Sequence, residues 1–265
     1  MTAAPPQAPA APLVPPGLRE ILAHPLPFQS HSWLNRAICR SIMALLGGRV
    51  LELHGLEHAR PERDPFVLAI NHNQKTEAVI LPTMLIYHRG GKLIHFISDW
   101  NFQLIPIVRT VIRRSEVITL VVKDARPRIL NVLKPLFHDP VPAFRRARRK
   151  IEAGAPVGVF IEGTVNRDRA RLMAGHPGAA RLSLETGAPV VAAGIRFPDV
   201  PPDRPVPESA RMVLEIGPPM TPPAPERAGR PSPDEVRAWH DRVMREIARL
   251  SGKAWDPDSS RRGRK

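Results

Sequence analysis

The chain has 265 residues, a length that suits one α/β domain with short terminal extensions. Its 39 Lys and Arg outnumber its 25 Asp and Glu, and the resulting net charge of +14 favours anionic partners such as lipid head groups, the phosphates of coenzyme A, an acidic carrier protein or nucleic acid. The single cysteine excludes an intrachain disulfide, and no Cys/His grouping has metal-ligand spacing, so we expect no metal site.

The N-terminal region is predicted to consist of a tail and a helix. Residues 1–30 are rich in Ala and Pro and are expected to be a disordered tail. The segment Trp33–Leu46 is predicted to be an amphipathic helix that is too short and too charged to span a bilayer. Two placements remain open for it, because it can pack on the domain or lie in the head-group interface of a membrane.

The rest of the chain alternates apolar segments with helical patterns, which predicts a single α/β domain with a mixed central sheet flanked by helices. Strands are expected near 49–54, 66–70, 92–97, 116–122, 157–161, 189–195 and 211–216, the last as an edge strand. Helices are expected near 76–88, 141–153, 178–186 and 233–250. The domain is assigned to 31–252, with a motif-bearing core at about 49–220, a C-terminal packing helix and a basic tail at 253–265.

The first candidate site follows the apolar run at 65–70, which ends in Asn71 and His72 with Glu77 five residues further on. Five helical residues turn through roughly 500°, so His72 and Glu77 can meet only if His72 lies in the turn before a helix that Glu77 opens. A carboxylate on one ring nitrogen fixes the imidazole tautomer and leaves the other nitrogen to accept a hydroxyl proton. The alternative is that Glu77 only satisfies free N–H groups at a helix start.

A second element repeats this design about 90 residues later. The apolar run at 157–161 ends in Glu162, Gly163 and Thr164, and Arg167 follows closely. The three residues could form a plain turn, with Gly for a positive φ and Thr as a cap. Two such elements at strand ends are more specific than either alone, and together they indicate a base at one strand end and an anion-binding loop at the other.

On these motifs the chain resembles the glycerolipid acyltransferase family typified by 1-acyl-glycerol-3-phosphate acyltransferase. The family's Asn-His, four residues and an acid correspond to residues 71–77, and its Phe-Pro-Glu-Gly-Thr block corresponds to 160–164. Its Val-Pro-Val-Val-Pro-Val strand is similar to 188–193. The similarity covers roughly 49–220 and implies the same α/β fold class.

The departures from the family pattern concern the acceptor site. The usual Asp is replaced by Glu77, and two residues separate the Gly-Thr pair from Arg167, although the family often has Arg directly there. The family's basic residue before the next helix is replaced by His176. Its Gly-rich middle block is represented only loosely by the segment that contains Arg114 and Lys123. The acceptor therefore stays open.

The resemblance implies acyl transfer from acyl-CoA or an acyl carrier protein thioester, as co-substrate and without another cofactor, to a lysolipid hydroxyl in phospholipid biosynthesis or remodelling. His72, oriented by Glu77, would be the catalytic base, and no Ser or Cys nucleophile is required. Glu162 is an unusual neighbour for a phosphate, so we expect it to hold an Arg or the loop. The implied substrate-binding residues are Asn71, Glu162, Gly163, Thr164, Arg167, Arg114 and Lys123.

The expected partners are the thioester donor, a lysolipid acceptor, an anionic membrane surface and, as one alternative donor, acyl carrier protein. The acceptor is lysophosphatidic acid or a related lysophospholipid, with a lyso-aminolipid such as a lyso-ornithine lipid as the alternative. A non-catalytic lipid-binding protein and a nucleic-acid-binding protein are the rivals from other classes; nucleic acid is not expected, because aromatics are few and no helix-turn-helix, zinc or RNA-binding signature occurs. The predicted location is the cytoplasm, peripherally on the inner face of the cell membrane.

Overall fold

The structure is a computed structural model that describes residues 11–104, 106–122, 124, 128–137, 139–224 and 230–257. Lys123, expected to contact substrate, lies outside the described residues. The first ten residues of the predicted N-terminal tail and residues 258–265 of the predicted basic tail also lie outside them.

Seven strands form one mixed sheet, which confirms the predicted fold class. The strands are β1 Val50–His54, β2 Val67–Ile70, β3 His95–Asp99, β4 Ile118–Leu120, β5 Val157–Phe160, β6 Val190–Arg196 and β7 Met212–Met220. Their order is β1-β7-β6-β2-β5-β3-β4, and the pairs are parallel except for antiparallel β6 and β7. Central β2 is buried along its whole length, because parallel strands covered on both faces are apolar throughout.

Helices cover both faces of this sheet. They are α1 Leu18–Ala23, α2 Trp33–Leu46, α3 Glu77–His88, α4 Pro106–Arg114, α5 Ala143–Glu152, α6 Gly178–Thr186 and α7 Pro233–Ser251. The side chains of β2 alternate between two cores: Leu68 and Ile70 join the core that contains α2 and α3, whereas Val67 and Ala69 join the one that contains α5, α6 and α7. The predicted helices, including α2, are confirmed to within two residues, while α1, α4 and the 3-10 turns at Arg128–Phe137 were not predicted. Among the described residues, no helix has the length and apolar character needed to cross a bilayer.

The expected disordered tail is wrong for the second half of residues 1–30. Helix α1 lies there, and Ile21 and Leu26 are buried in the core beside α2 and α3. Leu13 also forms an isolated β-bridge with Leu53 of β1. The Ala and Pro content concealed these few large apolar side chains, whose burial offsets the entropy of ordering the segment.

The edge position predicted for the last strand is also wrong. Strand β7 lies between β1 and β6, and the edges of the sheet are β1 and β4. The region around this strand is rich in proline, and Pro218 and Pro219 stand near the end of β7, beyond the residues 212–215 that pair with β1. Their missing N–H groups therefore leave the β1 ladder intact.

The C-terminal helix α7 packs directly on β6, as predicted. Its first turn is capped by Ser232, whose side chain accepts from the Glu235 amide, and it ends at Gly252 with φ of 65°. A Cβ on Gly194 of β6 would stand 2.3 Å from the Ser251 backbone nitrogen, so this glycine permits the close approach of helix and strand. Beyond the helix, Ala254 pairs with the loop at 170–172, so the expected basic tail does not begin at 253.

Candidate active site

The two motif loops meet at the carboxyl ends of neighbouring parallel strands. Ile70, the last residue of β2, pairs with Phe160, the last residue of β5. The backbone N–H of His72, just after β2, donates to Glu162 Oε2 at 2.8 Å, just after β5. The backbone N–H of Asn166 donates in turn to the His72 carbonyl at 2.7 Å. The second loop thus forms hydrogen bonds with both the N–H and the carbonyl of His72.

His72 and Glu77 form a hydrogen-bonded pair, in the one arrangement that their spacing allows. Glu77 is the first residue of α3, and its Oε2 lies 2.9 Å from His72 Nδ1 in the turn before that helix. The same oxygen accepts the Asn73 amide at 2.7 Å. The His72 ring also packs on the Phe160 ring, with 4.4 Å between centroids. With Nδ1 donating its proton to Glu77, Nε2 is the nitrogen that can accept a substrate proton.

Burial makes the charge on Glu77 costly. Its side chain is fully buried, and burial raises the pKa of the Glu77 carboxyl, while the hydrogen bond and charge of His72 oppose that rise. The other carboxylate oxygen, Oε1, has no hydrogen-bond partner within the described part of the chain. A buried carboxylate of this kind is stabilised when the adjacent imidazole becomes protonated, which is what a general base requires.

Glu162 holds the loop, one of the two roles expected for it. Its Oε1 accepts from Asn166 Nδ2 at 2.7 Å and from the Met173 amide at 2.8 Å, while Oε2 accepts from His72. Only 3% of the residue is exposed, so the carboxylate faces the loop rather than solvent. Three N–H donors compensate its buried charge.

Asn71 takes a structural position beside the base. Its Oδ1 accepts from the Ile195 amide at 2.7 Å and its Nδ2 lies 3.3 Å from the Ile195 carbonyl, so the side chain extends the pairing of β2 with β6. Asn71 Nδ2 also donates to Asn73 Oδ1 at 2.8 Å, and Asn73 Nδ2 donates to the Asn166 carbonyl at 2.6 Å. Sequence reasoning assigned no role to Asn73 or Asn166, although the Asn-His-Asn order at 71–73 is a signal for such a polar network.

Gly163 and Thr164 lie on the exposed side of the second loop. Gly163 has φ of 67°, and a Cβ there would stand 2.6 Å from the His176 ring. The glycine predicted for a positive φ is therefore required by the backbone and by this close contact. His176, which replaces the basic residue of the family pattern, covers Gly163 in this way.

Arg167 is not a free cation in the structure. Its Nη2 lies 2.6 Å from Glu208 Oε1, and Glu208 Oε2 accepts the Lys75 amide at 3.0 Å. Since Lys75 belongs to the His72 loop and Arg167 to the Glu162 loop, this half-exposed ion pair bridges the two loops. Glu208 was missed because it comes from a proline-rich segment with no recognisable motif.

The other predicted substrate-binding residue in the described part lies elsewhere. Arg114, the last residue of α4, donates to Asn35 Oδ1 of α2 at 3.0 Å. This contact is with the helical layer and not with either motif loop. Within the described ranges, no group of His, Cys, Asp or Glu is arranged to hold a metal ion.

A carboxylate-oriented histidine at the ends of the central strands of a mixed α/β sheet is an arrangement that can accept a proton from a hydroxyl. Comparison with known proteins shows the family. Residues 50–196, more than half of the chain, match the model of the Acyltransferase family, and the chain therefore belongs to the acyltransferase family.

A solved structure shares the fold. The crystal structure of the 1-acyl-sn-glycerophosphate (LPA) acyltransferase PlsC from Thermotoga maritima superimposes with a TM-score of 0.54 at 19% sequence identity. The match covers 90% of this chain and 88% of that chain. No curated protein matches the chain by sequence.

Proposed function

We propose that this acyltransferase moves a fatty acyl group from a thioester of coenzyme A or acyl carrier protein to the hydroxyl of a lysolipid, in phospholipid biosynthesis or remodelling. The observation that carries the proposal is the His72–Glu77 pair, with 2.9 Å between Nδ1 and Oε2 and a bulky aromatic ring, Phe160, against the imidazole. The pair supplies a base, and the family membership supplies the class of reaction.

The reaction is a direct transfer in a ternary complex. His72 Nε2 takes the proton of the acceptor hydroxyl while the hydroxyl oxygen attacks the carbonyl carbon of the thioester. Glu77 stabilises the imidazolium that forms. The tetrahedral intermediate then collapses, the carbon–sulfur bond breaks, and the proton on His72 passes to the leaving thiolate. The new ester and a free thiol are the products, and no cofactor beyond the thioester takes part.

The first acceptor candidate is lysophosphatidic acid or a related lysophospholipid. Arg167 stands at the junction of the two loops, and its guanidinium suits a bidentate contact with a phosphate. Such a ligand would have to draw Arg167 away from Glu208, because the Glu208 carboxylate repels a phosphate.

A second acceptor candidate, a lyso-aminolipid such as a lyso-ornithine lipid, is favoured by Glu208 itself. The Arg167–Glu208 pair, with 47% and 37% of its side chains exposed, presents a positive and a negative group side by side. A head group that carries both a carboxylate and an amine complements these two charges, whereas a phosphate complements only one.

The test is acyl transfer from labelled long-chain acyl-CoA, and in parallel from acyl carrier protein, to a panel of lysolipids. We expect product with the wild type and with His31→Ala, an exposed histidine control, and none with folded His72→Ala. Product from lysophosphatidic acid selects the first acceptor, and product from a lyso-aminolipid alone selects the second.

Glu208→Gln should raise use of lysophosphatidic acid in the first case and lower use of the aminolipid in the second. Transfer by folded His72→Ala at the wild-type rate would refute the assigned base, and liposome binding without any product would indicate a non-catalytic lipid-binding protein.

The lipid acceptor implies that the protein works at a membrane surface, and we propose peripheral association with the anionic inner face of the cell membrane. Supporting features are the net charge of +14 and the exposed Trp33 and Leu45 on α2. Flotation with anionic and with zwitterionic vesicles tests this. Binding that requires anionic lipid and weakens with salt is expected, and equal recovery with both vesicle types would contradict it.

A further inference from the structure

Lys253 is a buried lysine that the reaction described above does not use. It follows Gly252 at the end of α7, and only 5% of it is exposed. Its Nζ donates to the carbonyl of Asp168 in the loop that follows Glu162. A lysine is rarely buried unless its ammonium is compensated by nearby negative charge.

The charges that compensate Lys253 belong to the active site. The carboxylates of Glu162, Glu77 and Asp168, in that order, attract its ammonium, and the Arg169 guanidinium repels it. Burial lowers the pKa of Lys253, and the three carboxylates oppose that fall. Glu162 and Glu77 are themselves buried, and Glu77 Oε1 has no hydrogen-bond partner among the described residues. A cation near both therefore reduces the cost of keeping two carboxylates ionised beneath His72.

The backbone next to Lys253 is joined to the same loop. The Ala254 amide donates to the Ala170 carbonyl at 2.8 Å, and the Leu172 amide donates to the Ala254 carbonyl at 2.9 Å. The C-terminal segment 253–254 thus forms a short bridge along the loop that carries Glu162. This loop in turn holds the two backbone polar groups of His72.

We infer that Lys253 is a positioning residue for the His72–Glu77 pair: its ammonium holds the Asp168 carbonyl and compensates Glu162 and Glu77, which fixes the loop that binds the His72 backbone. The inference rests on the proposed function, because it assigns Lys253 a part in the work of that base. Its electrostatic part concerns the two carboxylates, because a positive charge nearby lowers the cost of keeping a buried carboxylate ionised.

The test compares Lys253→Met, which removes the charge at similar length, with Lys253→Arg, which keeps it, and with Arg249→Met. Arg249 is the matched control, because it lies on the same end of α7 with 60% of its side chain exposed. For Lys253→Met we expect kcat to fall by about 10- to 100-fold with KM for donor and acceptor within about threefold of wild type. Because the buried carboxylates lose a compensating cation, the acid limb of the pH dependence of kcat/KM should move to higher pH. Lys253→Arg should bring the limb back towards its wild-type position, and Arg249→Met should change neither quantity.

A second measurement separates this inference from the proposed function. NMR spectra of the His72 ring, assigned by comparison with His72→Ala, report the surroundings of the ring in folded protein without any turnover. We expect the His72 ring signals of Lys253→Met to differ from those of wild type at the same pH, and those of Arg249→Met to coincide with them, even if no lysolipid in the panel is a substrate. Coincident His72 signals in folded Lys253→Met and wild type, or an unchanged kcat, would overturn the inference. If Lys253→Met does not fold, the same comparison of Lys253→Arg with wild type decides: a fall in kcat without movement of the acid limb is expected, and wild-type kcat overturns the inference.

Discussion

Glu162→Gln is the perturbation that best tests how the base is held. The Glu162 carboxylate accepts three N–H groups, from His72 at 2.8 Å, Asn166 at 2.7 Å and Met173 at 2.8 Å. A glutamine has one acceptor oxygen and one donor NH2 group, so its best orientation keeps Asn166 and Met173 and turns the NH2 towards the His72 N–H. One hydrogen bond to a charged group is then replaced by a contact between two donors, and two others become neutral.

The size of this effect follows from those contacts. Loss of one charge-assisted hydrogen bond costs about 1.5–3 kcal/mol, and the weakening of the other two adds roughly 1 kcal/mol. Removal of a buried charge returns part of this, so we expect the free energy of unfolding to fall by about 2–3 kcal/mol. For a domain of this size the melting temperature should fall by about 5–10 °C. Displacement of His72 by about 1 Å should lower kcat/KM by about 100-fold.

The assays are thermal and urea denaturation followed by circular dichroism, together with acyl transfer at a temperature where the variant is fully folded. The matched control is Glu152→Gln, which changes a half-exposed carboxylate on α5 that pairs with Arg148 at the surface, and we expect a change below about 0.5 kcal/mol. A Glu162→Gln variant with the stability of wild type and an undiminished kcat/KM would refute the idea that Glu162 holds the histidine.

Two further predictions concern titrating groups. Burial raises the pKa of Glu77 above the ordinary 4.5, so its charge costs folding stability increasingly as pH rises through that raised value. The neutral variant Glu77→Gln should therefore melt at pH 7 at a temperature no lower than that of wild type, while its activity falls by about 100-fold or more. A loss of stability in calorimetry that matches the loss of activity would contradict this. Burial, with the charge of nearby His24, lowers the pKa of His88 from 6.5 to about 4, so its contribution to stability is complete above pH 6.5 and is lost as pH falls towards 4. When the melting temperature is measured from pH 6.5 down to pH 4, His88→Phe should lose less stability than wild type, and the exposed-histidine control His31→Ala should behave as wild type. An equal loss of stability in His88→Phe and wild type would contradict the prediction.

The parts of the fold that the sequence predicted are those with a strong local pattern. Strands β2 and β5 are continuous apolar runs with polar residues directly after them, and α7 carries a capping residue, a proline and a periodic apolar face. The meeting of His72 and Glu77 also followed from local geometry, since five residues suffice only across a turn into a helix. Such features depend on neighbours in sequence, and for this reason one chain is enough to predict them.

The parts that were missed depend on contacts between distant segments. Glu208 contacts Arg167, 41 residues away in sequence, and Lys253 contacts Asp168, 85 residues away. No local sequence pattern identifies either Glu208 or Lys253 as part of the site. Helix α1 was missed because only Ile21 of its six residues is buried, which is too little to give a pattern. The predicted edge position of β7 was wrong for a related reason, because prolines such as Pro218 and Pro219 are compatible with an edge strand and equally with the end of an inner strand.

The distribution of burial separates the groups around His72 from the charges around Arg167. The side chains around His72, those of Glu77, Glu162 and Asn71, are buried. Beyond the end of β2, Glu162 accepts the His72 amide and Asn71 accepts the Ile195 amide, in place of strand-to-strand hydrogen bonds. The charges at the junction of the two loops, Arg167 and Glu208, are half exposed, and Glu208 contacts the His72 loop at the Lys75 amide. A change at Glu162 must therefore affect stability and turnover together, because the same bonds serve both. A change at Glu208 should cost little stability, since exposed ion pairs contribute about 0–1 kcal/mol, and can still alter which head group is bound. We therefore propose that the acceptor can change in this fold while the histidine and its acid stay in place, which accounts for a chain that keeps both residues yet departs from the family around Arg167.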